Sequence, residues 1–117
     1  MSQAKSVDAD VIENLKSLGG MELLAELHTV FISTSEALIA DLHKALAAGD
    51  ALGVQEKAHS LKSSSGNMGA LQLSQICMQL EKMGQTKDLS QAKDLAQKLD
   101  VEFKQVSLEL RQIVAAQ

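Results

Sequence analysis

The segment Ala58-His59-Ser60-Leu61-Lys62-Ser63-Ser64-Ser65-Gly66-Asn67-Met68-Gly69-Ala70 holds the side chains best suited to group-transfer chemistry. On a helix, Lys62 and Ser63 lie three and four residues beyond His59 and share its face. Gln55 and Glu56 lie on that face one turn earlier, whereas Ala58 and Leu61 point inward. Such a helix buries one side and presents His59 to solvent, beside a lysine and small side chains. A neutral imidazole is a nucleophile near neutral pH. Its attack on a phosphoryl group gives a phosphoramidate, and the negative charge gained can be offset by an ammonium donor one turn away. Ser63, Ser64 and Gly66 are small and leave room for a second protein to bring its reacting group to the ring. The plain alternative is an alanine- and serine-rich surface helix with one histidine.

The other candidates for chemistry are few. His28 lies beside an apolar stripe, and His43 lies near a helix C-terminus, where positive charge is favoured. Both read as ordinary surface or half-buried side chains. No two histidines have the i, i+4 spacing of a helical metal site. The single cysteine, Cys77, excludes an internal disulfide and a cysteine-based zinc centre. No metal ligand set is expected.

These residues must be held by helices. The chain has 117 residues, which suits one domain over 1–117. It has no Pro, Trp or Tyr and only two Phe, so it lacks both the residues that break helices and the aromatics that strands favour. A first short helix carries Val11, Ile12, Leu15 and Leu18 and ends at Gly19-Gly20. A second runs from about Met21 to Ala48, with Leu24, Leu27, Phe31, Leu38, Leu42 and Ala45 in one stripe. The third follows Asp50 as N-cap, with Val54, Ala58, Leu61, Ser65 and Met68 inward. The fourth spans about Leu71 to Met83 and is closed by Gly84, with Leu73, Ile76, Cys77 and Leu80 inward. The fifth starts near Thr86 or Asp88 and carries Leu89, Ala92, Ala96, Leu99, Phe103, Val106, Leu110 and Ile113. Short connections between them predict an all-α, antiparallel up-down-up-down four-helix bundle, with the short N-terminal helix across one end.

Composition narrows the partners. Residues 1–50 hold eight acidic and three basic side chains, and residues 51–117 hold seven and eight. Neither a basic patch nor a set of aromatic platforms is visible, so nucleic acid is excluded as the expected partner. The N-terminus lacks the apolar run of a signal peptide. No stretch reads as the roughly 20 apolar residues of a membrane helix. The expectation is a soluble, cytoplasmic protein with no membrane partner.

The segment from His59 to Ala70 resembles the signature of histidine-containing phosphotransfer (HPt) domains, roughly His-x-Leu-Lys-Gly-Ser/Ala-Ser/Ala-x-x-x-Gly-Ala. Ala48-Gly49-Asp50, Cys77, Leu80-Glu81, Gly84 and the long last helix are also similar to the family pattern, over about residues 10 to 114. The resemblance implies a monomeric bundle that takes a phosphoryl group on His59 from an aspartate of one receiver domain and passes it to an aspartate of another. The family lysine falls on Lys62 and the later glycine on Gly69, a turn position. Ser63 stands where the family has glycine. The implied protein is a carrier and not an enzyme: it has no nucleotide-binding loop, and neither binds ATP nor phosphorylates itself. It needs no cofactor of its own, because the receiver supplies Mg²⁺. Its implied partners are response-regulator receiver domains or a hybrid histidine kinase.

Three other readings stand beside this one. A histidine-kinase dimerisation domain also carries a histidine on a bundle helix, but typically with an acidic residue next and a proline soon after; here Ser60 follows His59 and proline is absent. A helical adaptor bundle would not depend on His59. A cofactor-binding bundle would use His28 or His43.

Overall fold

Asp8 and Asp50 start two of the helices in the same way, each by turning a carboxylate back onto a free backbone N–H. Asp8 accepts from the Asp10 amide at 2.8 Å and Asp50 from the Gly53 amide at 3.0 Å. The computed structural model describes residues 6–115. They form α1 (Ala9–Ala47), α2 (Ala51–Asn67), α3 (Leu71–Thr86) and α4 (Ala92–Ala115), and there is no strand among the described residues.

Helix α1 holds both of the first two expected helices. Gly20 breaks it, with φ 71° and ψ −168°, a backbone shape open to glycine at little cost. The part before this bend lies over the far end of the bundle. There the Asp8 amide donates to the Gly69 carbonyl at 2.8 Å, and Val11 closes on Gly69. The preceding residues are fixed by Glu109 of α4, whose carboxylate accepts from the Ser6 and Val7 amides at 3.0 Å each. Leu18, the last apolar residue before the bend, is 77% exposed.

The four helices pack in a ring: α1 on α2, α2 on α3, α3 on α4, and α4 back on α1. Connections at 48–50, 68–70 and 87–91 leave successive neighbours antiparallel. The core is aliphatic. Leu24, Leu42, Val54, Leu61, Leu73, Leu80, Leu99, Val106 and Leu110 are fully buried, and each contributes about 1.5–3 kcal/mol by leaving water. Phe31 and Phe103 meet across α1 and α4 with ring centroids 6.3 Å apart. Long helices make the molecule slender, with extents of 43 × 32 × 18 Å.

Three expectations change. Gly84 does not close the third long helix; α3 continues to Thr86 and ends on Lys87, at φ 60°. Gly84 is instead the point of closest approach between α3 and α2. A Cβ there would stand 2.7 Å from the Ala51 carbonyl oxygen and 2.7 Å from the Gln55 nitrogen. Helix α4 begins at Ala92, later than Thr86 or Asp88, because Asp88 turns its carboxylate onto Ser90, accepting from its amide at 3.2 Å and its hydroxyl at 2.7 Å. Finally, α1 does contain an 18-residue window with the mean hydropathy of a membrane span, 1.3. Of that window 17% is buried; in this part of α1 Leu24 and Phe31 lie in the core, and Leu27, Ile32, Leu38 and Ile39 pack against it partly exposed.

Candidate functional site

Helix α2 presents His59 outward because Val54, Ala58, Leu61 and Ser65 turn inward. The His59 side chain is 60% exposed, and its Nδ1 lies 2.8 Å from Oε2 of Glu81 on α3. The other carboxylate oxygen of Glu81 takes Lys62, with Nζ 2.7 Å from Oε1. One carboxylate, itself only 12% exposed, therefore holds both the ring and the ammonium group of the motif.

The pairing follows from helix geometry. His59 and Lys62 share a face at i, i+3, and Glu81 reaches them from the facing helix. Gly84, one turn beyond Glu81, draws the two backbones together. The Ser74 hydroxyl donates to the Lys62 carbonyl at 3.0 Å and ties the other end of the seam. The Lys62 hydrogen bond holds the Glu81 carboxyl below the usual carboxylate range; burial opposes this, and the His59 hydrogen bond adds to it.

An ionised carboxylate only accepts. The His59 nitrogen facing it therefore carries the proton, and the lone pair sits on Nε2, away from Glu81. The result is an exposed ring with Nδ1 held on Glu81 and Nε2 on the side away from it, beside the Lys62 ammonium group.

The remaining expected residues fall around this centre. Glu56 and Ser63 are exposed on α2. Gln55 is less open than expected, because its backbone and Cβ back onto Gly84. Gly66 lies beside the Ser74 hydroxyl at the α2–α3 seam, and Gly69 turns the chain at φ 79° under Val11. His43 is drawn to α4, with Nε2 3.0 Å from Asp100. His28 is kept below the ordinary histidine range by burial and by Arg111. Cys77 is fully buried, and burial pushes its thiol up to about 12. Among the described residues, no three His, Cys, Asp or Glu side chains gather as a metal site would need.

Glu81 is the residue that the site reading of the sequence did not include. Its signal was its register. It follows Leu80 and lies four residues after Cys77, on the inward arc of α3. A carboxylate among core positions needs a cationic partner.

The Hpt domain model matches residues 26–116. The fold and sequence are similar to those of the crystal structure of histidine-containing phosphotransfer protein B (HptB) from Pseudomonas aeruginosa PAO1. The TM-score is 0.92 and the identity 32%, over 98% of this chain and 99% of that one. No curated protein matches the chain. The chain belongs to the Hpt domain family, and it is a histidine phosphotransfer protein of a phosphorelay.

Proposed function

We propose that His59 is the residue that carries the phosphoryl group, through Nε2, and that Lys62 neutralises charge on it. The observation that supports this most is the Glu81 bridge, which leaves Nε2 as the free nitrogen of an exposed ring. The donor is the aspartyl phosphate of a receiver domain or hybrid kinase, and the acceptor is an aspartate of another receiver. The receiver brings the Mg²⁺; this chain brings a placed nucleophile and a surface for the receiver to sit on. Catalysis then comes from position and charge neutralisation during in-line transfer. Exposed Leu52 lies two helical turns before His59 on α2, and exposed Leu71 and Met78 stand on α3. Together with Glu56 and Ser63 they offer the mixed apolar and polar surface that a transient partner needs.

The protein acts as a carrier without autokinase activity, and as a monomer in the cytoplasm. Lys62 works as a charge and does not form the bond. Ser63, in the place of the family glycine, is exposed on this face and small enough for a receiver to pass.

The test uses a panel of radiolabelled phospho-receivers with wild type and His59→Gln side by side. Label should move to wild type only, be lost in acid and survive base. Label on the variant as well would remove His59 from the role.

A further inference from the structure

Ser63 departs from the family pattern, which has glycine at this position, and it does so one turn beyond His59 on α2. We propose that the Ser63 hydroxyl is a phosphoryl-binding group, which donates a hydrogen bond to an oxygen of the phosphoryl group on His59 and so holds that group more tightly on this chain. This rests on the proposed role of His59 and deepens it.

Helix geometry puts the hydroxyl on the reacting side of the ring. Ser63 stands about 40° round α2 from His59, and Lys62 about 60° round it the other way. Lys62 is on the α3 side: its Nζ meets Glu81 at 2.7 Å, and its carbonyl accepts from the Ser74 hydroxyl at 3.0 Å. Ser63 is therefore on the side of His59 away from α3. Glu81 holds Nδ1 of the ring toward α3, so Nε2, and a phosphoryl group bonded to it, lie toward Ser63. Side chains on a helix lean toward its N-terminus, which carries the Ser63 hydroxyl back over the turn of His59. The Cβ atoms of such a pair are about 5–6 Å apart. Helix α1 meets α2 on another side, where Lys57 lies 3.7 Å from Asp41, and Ser63 is exposed.

The hydroxyl is also uncommitted. A helical serine commonly bonds back to a carbonyl of the preceding turn. Ser17, Ser33 and Ser64 do so, each to the residue three before it. Ser63, next to Ser64, has no side-chain partner among the described residues. The other side chains one turn from the ring are placed for other work. Lys62 is tied to Glu81, Gln55 backs onto Gly84 on the α3 side, and Glu56 is a carboxylate, which only accepts. A phosphoryl group brings three strong acceptor oxygens, and a hydrogen bond to a charged acceptor is stronger than a neutral one.

This hydrogen bond exists only while the chain is phosphorylated, so it favours phosphohistidine over the receiver's aspartyl phosphate. The bonds exchanged are unchanged. The N–P bond forms as the receiver's P–O bond breaks and its electron pair leaves on the aspartate oxygen; on transfer back, the N–P pair returns to Nε2. The equilibrium share of phosphoryl between the two proteins therefore reads the hydroxyl. The fit of the receiver past the side chain alters forward and backward rates alike and cancels from that share.

The experiment takes a radiolabelled phospho-receiver that labels wild type and mixes it with wild type, Ser63→Ala, Ser63→Gly or Ser63→Thr until the ratio of label on the two proteins is constant. Relative to the receiver, wild type should hold about five times more label than Ser63→Ala. Ser63→Gly should match Ser63→Ala, and Ser63→Thr, which keeps the hydroxyl, should hold more than either. Circular dichroism should show all four folded, because the side chain is exposed. Equal ratios in wild type, Ser63→Ala and Ser63→Gly would overturn the inference and leave the role of His59 standing, and so would transfer rates that change while the ratio does not. Wild type that takes no label on His59 from any receiver would overturn the underlying reading and the inference together.

Discussion

Gly84 of α3 faces the backbone of Gln55 on α2 so closely that a Cβ would stand 2.7 Å from the Gln55 nitrogen. Glu81 lies one turn from Gly84, and His59 one turn from Gln55. The same contact that seats α3 on α2 therefore sets the reach of the Glu81 carboxylate to the His59 ring.

Replacing Gly84 by alanine should force the helices apart at this point. Overpacking of this kind costs about 1–3 kcal/mol. Thermal melting should show the loss, and phosphotransfer should slow as Glu81 withdraws from His59. Wild-type melting would mean that the helices separate here at no cost.

His59→Gln should leave the fold intact. The ring is mostly exposed and its single strong contact is to Glu81. A single hydrogen bond from a ring so open to solvent contributes about 1 kcal/mol. Circular dichroism should give wild-type helicity and a melting midpoint within a few degrees, while transfer is lost. A large drop in melting temperature would show that the ring is part of the packing.

The Glu81 carboxyl is held below the ordinary 4.5, first by the Lys62 hydrogen bond. A group with a lowered folded value stabilises the fold above its unfolded value and stops doing so as pH falls through the folded one. The stability of wild type over Glu81→Gln should thus be constant above about pH 4.5 and shrink as the pH is lowered further. Denaturant unfolding at a series of pH values measures this. Lys62→Ala should abolish most of that pH dependence and slow transfer without stopping it. Transfer at the wild-type rate would remove Lys62 from the mechanism.

Ala58→Asp tests the phase of α2. Ala58 is fully buried one residue before His59. A carboxylate there has no cation to meet, and the cost of burying it unpaired exceeds the stability of a small domain. The variant should be unfolded by circular dichroism; a wild-type melting curve would show that α2 is turned differently.

The inward rows of α2 and α3 were legible because one helix's own periodicity decides them. Val54, Ala58, Leu61 and Ser65 recur at helical spacing and are all fully buried. His59 and Lys62 were legible as a pair for the same reason. Glu81 and Gly84 were not, because their roles depend on how α3 is rotated and set against α2, and the spacing within one helix says nothing of that. A glycine at the end of an apolar pattern reads equally as a cap or as a close contact, and here the contact prevails. The start of α4 was misplaced by local chemistry: Asp88 spends its carboxylate on Ser90 and so makes a turn before the helix. Leu18 shares the spacing of Val11, Ile12 and Leu15 yet is 77% exposed, since the spacing within one helix does not say where its packing ends.

The central claim is that the phosphoryl group sits on Nε2 of His59 while Nδ1 stays on Glu81. The most direct measurement is a long-range ¹H–¹⁵N spectrum of the phosphorylated protein, with ³¹P coupling used to assign the nitrogen that bears phosphorus. The account predicts phosphorus on Nε2 of His59, with Nδ1 protonated and His28 and His43 unmodified. Phosphorus on Nδ1 of His59, or on either of the other two histidines, would contradict it.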